Sequence, residues 1–300
     1  MRPIYTFVIT LFHDRLSKTH MPARILMWIH IALWAVTHMK ALSRHFSSRQ
    51  ELISYVSNLS PHATGQASPI VGGHDQASLK LSAIKPIDYG RTRNYGNGHI
   101  TRLSPYIHHG LITLEDTRLA AMKHCSQAVQ ITKFLQELAW RDFWQRLAMQ
   151  RPQWLWHDCE PYKTGFCHSD YADHLPEDIQ TGTTGVVCLD MFIKELLESG
   201  YIHNHARMYI ASYVVHFRRV KWQAGAKWFL AHLLDGNEAS NNFSWQWVAS
   251  TFSNKPYIFN LDNVHKYFGD QVNTTPADNV ILDADYDQLE KRLFPHKDAQ

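Results

Sequence analysis

From residue 113 to residue 251 apolar side chains recur at helical spacing, through 113–125, 127–150, 186–200, 203–219, 221–234 and 244–251, and no alternating stretch competes with them. Residues three and four apart share one face of a helix, whereas a half-buried strand needs every second residue. The spacing therefore predicts an all-α chain. Upstream, Ser48 is placed to cap a helix running through Val56, with Ser60-Pro61 as its stop, and residues 62–100 gather Gly, Pro and Asn into turns. The polar stretch beyond Gly269 is expected to pack weakly until a last turn at Tyr286–Leu293. No internal repeat is visible.

Composition narrows the function classes. In the first 45 residues the apolar runs Ile4–Phe12 and Ile25–Val36 are each shorter than the roughly 20 residues a membrane-crossing helix needs, so no membrane role is expected. The expected division is an N-terminal extension at 1–45, a helical domain at 46–275 and a tail at 276–300. A net charge of +3 neither requires nor excludes nucleic acid. Ten Trp and thirteen Tyr exceed what one core requires, which points to flat ligands or electron transfer. Most of the twenty His are read as surface residues. Cys125, Cys159, Cys167 and Cys188 are too scattered for a disulfide framework, which favours a reducing, cytoplasmic compartment. The stretch from His157 and Cys159 to Cys167 and His168 lacks the paired hooks of a structural zinc site, and no metal is expected.

Three segments carry chemistry. Thr101-Arg102-Leu103-Ser104-Pro105 is a hydroxyl-rich turn opening a helix, where free N–H groups and the positive dipole end suit a diphosphate; alone it also reads as an ordinary cap. Glu137, Trp140, Arg141 and Trp144 fall at i, i+3, i+4 and i+7 on one helical face, which reads as a solvated Glu–Arg pair with two packed tryptophans or as a cavity wall. From Gly200 to Thr251 come Asn204, Arg207 and Met208 on a shared face, then Trp222, Asp235, Asn237, and Asn241 one turn before Trp245. In this order and spacing the segments resemble the FAD-binding helical domain of the DNA photolyase and cryptochrome family, over about residues 47–270.

The resemblance implies a helical bundle of that type without the family's α/β antenna domain, because no βαβ pattern precedes the Thr101 turn. It implies FAD folded into a U, with Tyr89, Thr101, Arg102, Leu103 and Ser104 at its phosphates and ribose. Glu137, Arg141, Asn204 and Asn237 would line it, Arg207 would pair with Asp235, and Asn241 would face flavin N5. Glu137, Asn241, Trp245 and Trp222 are implied as catalytic, and Glu137, Trp140, Asn204, Met208 and Trp247 as contacts to an extruded pyrimidine dimer. The implied reaction is light-driven electron transfer from reduced FAD to a cyclobutane dimer in UV-damaged DNA, double- or single-stranded. The alternative is a cryptochrome-like blue-light or redox sensor that binds FAD without repair. Two departures stand out: Ile179 occupies the place of the family's third electron-carrying Trp, and Asn237 that of an Asp. No antenna chromophore and no iron–sulfur cluster are expected, and a separate antenna subunit or a signalling partner would stand outside this chain.

Overall fold

Every regular element is helical across residues 42–59, 63 and 65–297, the residues described by the structure, a computed structural model. A lone parallel bridge joins Ala172 and Val220. The runs Ile4–Phe12 and Ile25–Val36 and the stop at Ser60-Pro61 lie outside the described residues. The chain divides into two compact units between Gly65 and Gln66. Within the first unit, helix α1 (Arg49–Ser57) has no fully buried residue, and its Tyr55 ring lies 5.2 Å from that of Phe46. Ser48 Oγ caps it by accepting from Glu51 N at 3.1 Å, and the Glu51 carboxylate accepts from Ser47 N at 2.6 Å.

In the second unit come α2 (His74–Ser82), α3 (Pro86–Thr92), α4 (Ser104–His108), α5 (Leu114–Met122) and α6 (Thr132–Gln150). They are followed by α7 (Glu177–Thr181), α8 (Val187–Ser199), α9 (Asn204–Ser212), α10 (Trp222–His232), α11 (Glu238–Ala249), α12 (Leu261–Phe268) and α13 (Tyr286–Leu293). A π-helical turn, Tyr213–Phe217, extends α9. Helix α11 starts a turn and a half before the expected 244, because Asn237 Oδ1 accepts from Ser240 N at 3.0 Å and so caps a polar first turn that carries no apolar period.

Two apolar clusters fill this unit. The smaller packs α2 to α6 around Leu103, Tyr106, Ile131 and Phe134. The larger joins α8 to α12 around Leu189, Tyr209, Trp222, Phe229, Trp245 and Phe259. Burying such a side chain fully contributes roughly 1.5–3 kcal/mol. Helices α10, α6 and α9 all pack on α11. The closest approach is at Gly225 of α10, where a Cβ would sit 2.2 Å from Trp245 Cη2, so only glycine admits the indole.

The tail is better packed than its polarity suggests, which corrects the expected weak packing. Asn279 is fully buried; its Oδ1 accepts from Cys188 N at 2.9 Å and its Nδ2 donates to the carbonyls of Asn273 and Thr275. Leu282 and Leu289 are also fully buried. A polar segment can dock where each buried polar atom finds a partner.

Buried histidines make the fold sensitive to acid. Burial pushes His216 of the π turn and His203 before α9 down from 6.5 to about 4; in His203 the nearby His205, Arg102 and Arg207 add to the effect. Both groups therefore bind protons more readily in the unfolded chain. Their stabilisation is complete above the unfolded value and is lost as pH falls from about 6.5 through about 4. The thermal midpoint is expected to drop across that window. In His216→Gln the drop should be shallower, as differential scanning fluorimetry at stepped pH would register.

Candidate functional site

Asp235, on the loop between α10 and α11, ties the two apolar clusters together. Its Oδ2 accepts from Ser104 Oγ at 2.5 Å and from Arg207 Nη2 at 2.9 Å. Ser104 opens α4 beside the smaller cluster, and Arg207 stands on α9 in the larger one. Burial alone would raise the carboxyl's pKa, but the Arg207 charge, hydrogen bonds from Arg207 and Ser104, and the Arg141 charge outweigh it and hold the group below its ordinary value. Its second oxygen, Oδ1, is buried and has no hydrogen-bond partner among the described residues.

Two further cations stand near this knot without an ion pair. No carboxylate lies within 4.0 Å of Arg141 or Arg102 among the described residues. Arg141 is half-buried and burial lowers its pKa despite the attraction of Asp235. Arg102 adopts a left-handed backbone, φ 51°, in the Thr101 turn, and its guanidinium lies 5.5 Å from the Tyr201 ring centre, while Arg207 stands 5.3 Å from the same ring. The Leu103 side chain is buried in the smaller cluster, and its N–H donates to Thr101 Oγ1 at 3.3 Å.

Helix α11 provides one wall. Asn241 Nδ2 donates to Ala226 O at 3.1 Å and to Asn242 Oδ1 at 2.9 Å, which fixes the amide and leaves its Oδ1 without a protein donor among the described residues. Trp245 Nε1 and Ser240 Oγ are buried and have no hydrogen-bond partner among the described residues. Asn237, besides capping the helix, accepts from Gln145 Nε2 of α6 at 2.5 Å, so the Asp-to-Asn departure is taken up by a neutral amide pair.

Helix α6 carries the other polar contacts. Glu137 Oε1 lies 2.9 Å from Lys133 Nζ and 3.2 Å from Arg93 Nη1. Tyr89 sits close by, its ring edge-on to Phe134 at 5.1 Å, with its hydroxyl pKa raised by burial and by Glu137. The Lys133 contact was legible as an i,i+4 pair; Arg93 and Tyr201 had no local signal. Trp140 is 49% exposed and stacks on Trp144, which stacks in turn on Phe243 of α11. Trp247 is 41% exposed and lies beside Tyr257. Asn204 is exposed at the start of α9, and Met208, one turn on, is half-buried against the larger cluster.

Trp222 is buried deep in α10 with its N–H on Asp158 at 2.6 Å. Ile179 is fully buried among apolar neighbours. A cleft of about 530 Å³ lined by Gly90, Arg91, Lys133 and Gln136 opens on the Lys133 side of Glu137, with none of Asp235, Arg207 or Asn241 on its walls. Among the described residues no group of three His, Cys, Asp or Glu could hold a metal, and no helix is long and apolar enough to cross a membrane.

Residues 134–273 match the family model of the FAD binding domain of DNA photolyase. The deoxyribodipyrimidine photo-lyase of Streptomyces griseus is 32% identical over 203 residues, 65% of this chain and 42% of that protein. The Escherichia coli K12 deoxyribodipyrimidine photo-lyase is 31% identical over 137 residues, 43% of this chain and 28% of that protein. The chain thus spans less than half the length of these curated relatives. Among solved structures, the archaeal photolyase from Sulfolobus tokodaii, which has two FAD molecules, superposes with a TM-score of 0.62 at 23% identity, covering 78% of this chain and 58% of that one. The class III photolyase from Agrobacterium tumefaciens gives 0.61 at 20%, covering 87% and 62%. At such identities the likeness concerns the fold. Matched segment, curated relatives and fold agree on where the similarity lies: residues 134–273 match the FAD binding domain of DNA photolyase, and the helical fold is that of solved photolyases.

Proposed function

We propose that this chain binds FAD between its two apolar clusters and uses it for light-driven repair of cyclobutane pyrimidine dimers in DNA. The observation that carries this reading is the Ser104–Asp235–Arg207 knot with its free Asp235 Oδ1; on α11, which follows Asp235 in the chain, Trp245 Nε1 and Ser240 Oγ are likewise buried without a partner among the described residues. Buried polar atoms normally have partners, so a free Asp235 Oδ1 beside the Arg207 guanidinium fits a polar ligand that completes it. Arg102 and Arg141, both without carboxylate partners, fit its diphosphate. When bound in reduced form, FAD supplies a photoexcited one-electron donor.

The protein's own groups would do the rest. Asp235 and Arg207 fix the electrostatics of the cavity, and breaking the pair would strand a buried charge at a cost of about 3–5 kcal/mol. Asn241, held by Ala226 O, presents a carbonyl acceptor and no acidic proton. An extruded dimer costs a few kcal/mol to unstack, which stacking on the exposed Trp140 and Trp247 would offset. Glu137, with Arg93 and Lys133 behind it, sets a positive rim where negative charge develops on the dimer.

A purified chain should show a flavin spectrum and, once reduced, restore dimer-containing single- and double-stranded oligonucleotides under blue light. Flavin absorbance without repair would instead support light or redox sensing, and colourless protein would end both readings. Asp235→Ala is expected to lose flavin on gel filtration. Glu137→Ala is expected to retain flavin while repair per absorbed photon falls by on the order of tenfold, because Arg93 and Lys133 lose the carboxylate that positions them. Unchanged repair in that variant would remove Glu137 from the reaction.

A further inference from the structure

We propose that Trp156 is the outer terminus of an electron path running from Trp245 through Trp222 to the surface, with Glu238 as the base that receives the Trp156 indole proton. The proposal rests on the flavoprotein reading above. Trp245 is 2% exposed and its ring edge fills the space left by Gly225. Trp222 stands one turn before Gly225 on α10 and is fully buried, so nothing dissolved in water reaches it. Its ring lies parallel to that of Trp156, with 6.3 Å between centroids and 8° between planes. Trp156 is partly exposed and therefore gives the path an outlet. Electronic coupling decays steeply with separation, so stacked indoles exchange an electron readily. The buried Ile179 has no ring to hold an unpaired electron.

Hydrogen bonds grade the path outward. The N–H of Trp245 has no partner among the described residues, that of Trp222 donates to Asp158 Oδ1 at 2.6 Å, and that of Trp156 donates to Glu238 Oε1. A carboxylate on an indole N–H stabilises positive charge on that ring, so an electron vacancy created at Trp245 is drawn towards Trp222 and Trp156. The two carboxylates differ in load. Asp158 is shared with Gln223 Nε2 at 3.2 Å and His168 Nδ1 at 2.7 Å, whereas Glu238 has no further partner among the described residues. Lys227 Nζ, 5.5 Å from the Trp156 ring centre, opposes a lasting cation there and drives proton loss instead.

The step balances as follows. With a photoexcited flavin as the oxidant at the inner end, one electron leaves Trp245, is replaced from Trp222, and that loss is filled from Trp156. The Trp156 radical cation then breaks its Nε1–H bond, and the proton forms an O–H bond on Glu238. The products are a neutral indolyl radical, a neutral carboxyl and an oxidant reduced by one electron.

Transient absorption and electron paramagnetic resonance on the flavin-loaded full chain test this after a blue pulse. Wild type should yield a neutral indolyl radical. In Trp156→Phe the radical should decay about tenfold faster, because a vacancy stranded on buried Trp222 returns inward, and in Glu238→Gln the cation should persist about tenfold longer before losing its proton. Near-ultraviolet circular dichroism checks that each variant is folded. A folded Trp156→Phe with the wild-type radical lifetime overturns the proposal while leaving FAD binding intact; should that variant not fold, wild-type deprotonation in Glu238→Gln overturns it equally. A chain that takes up no flavin overturns both this proposal and the functional reading beneath it.

Discussion

One buried carboxylate holds the site together. Asp235 receives a hydroxyl from the helix of the smaller cluster and a guanidinium from the larger, so the two clusters meet through a charged knot rather than through apolar contact alone. A charge in such a place is tolerated only while its partners stay put. The geometry around the proposed FAD site is thereby set by electrostatics, and the free Oδ1 is the part of the knot not used for structure.

Helix α11 serves packing and chemistry at once. Its fully buried Phe243 and Ala249 face the core, while Asn241 and Trp247 point elsewhere, and the cap at Asn237 and the missing Cβ at Gly225 fix its start and its depth. A shift of the helix would move Asn241, Ser240 and Trp245 together. Their mutual placement is therefore more rigid than any single hydrogen bond would make it.

The aromatic excess of the composition divides into three uses. Trp222, Trp228 and Trp245 are buried among the helices. Trp140 and Trp247 stay exposed on α6 and α11, which pack together, and they are the rings proposed to stack an extruded base. Trp156 sits between these extremes, half-covered and bonded to a carboxylate.

The apolar period from residue 113 onward determined the all-α class, and the extended motif order carries the resemblance to the photolyase family, because both signals are local and survive without knowledge of contacts. Helix α11 was read too short because a capped Glu-Ala-Ser-Asn-Asn turn has no apolar period, and the tail was read as loose because its polarity conceals the hydrogen bonds of Asn279 with Cys188, Asn273 and Thr275. The pairing of Arg207 with Asp235 followed only from resemblance. Tertiary structure alone decided that Ser104 joins them, that Arg93 reaches Glu137, and that Trp156 lies flat on Trp222. Each of these contacts joins residues far apart in the chain, and sequence periodicity specifies which face a residue occupies, not which distant residue that face will meet.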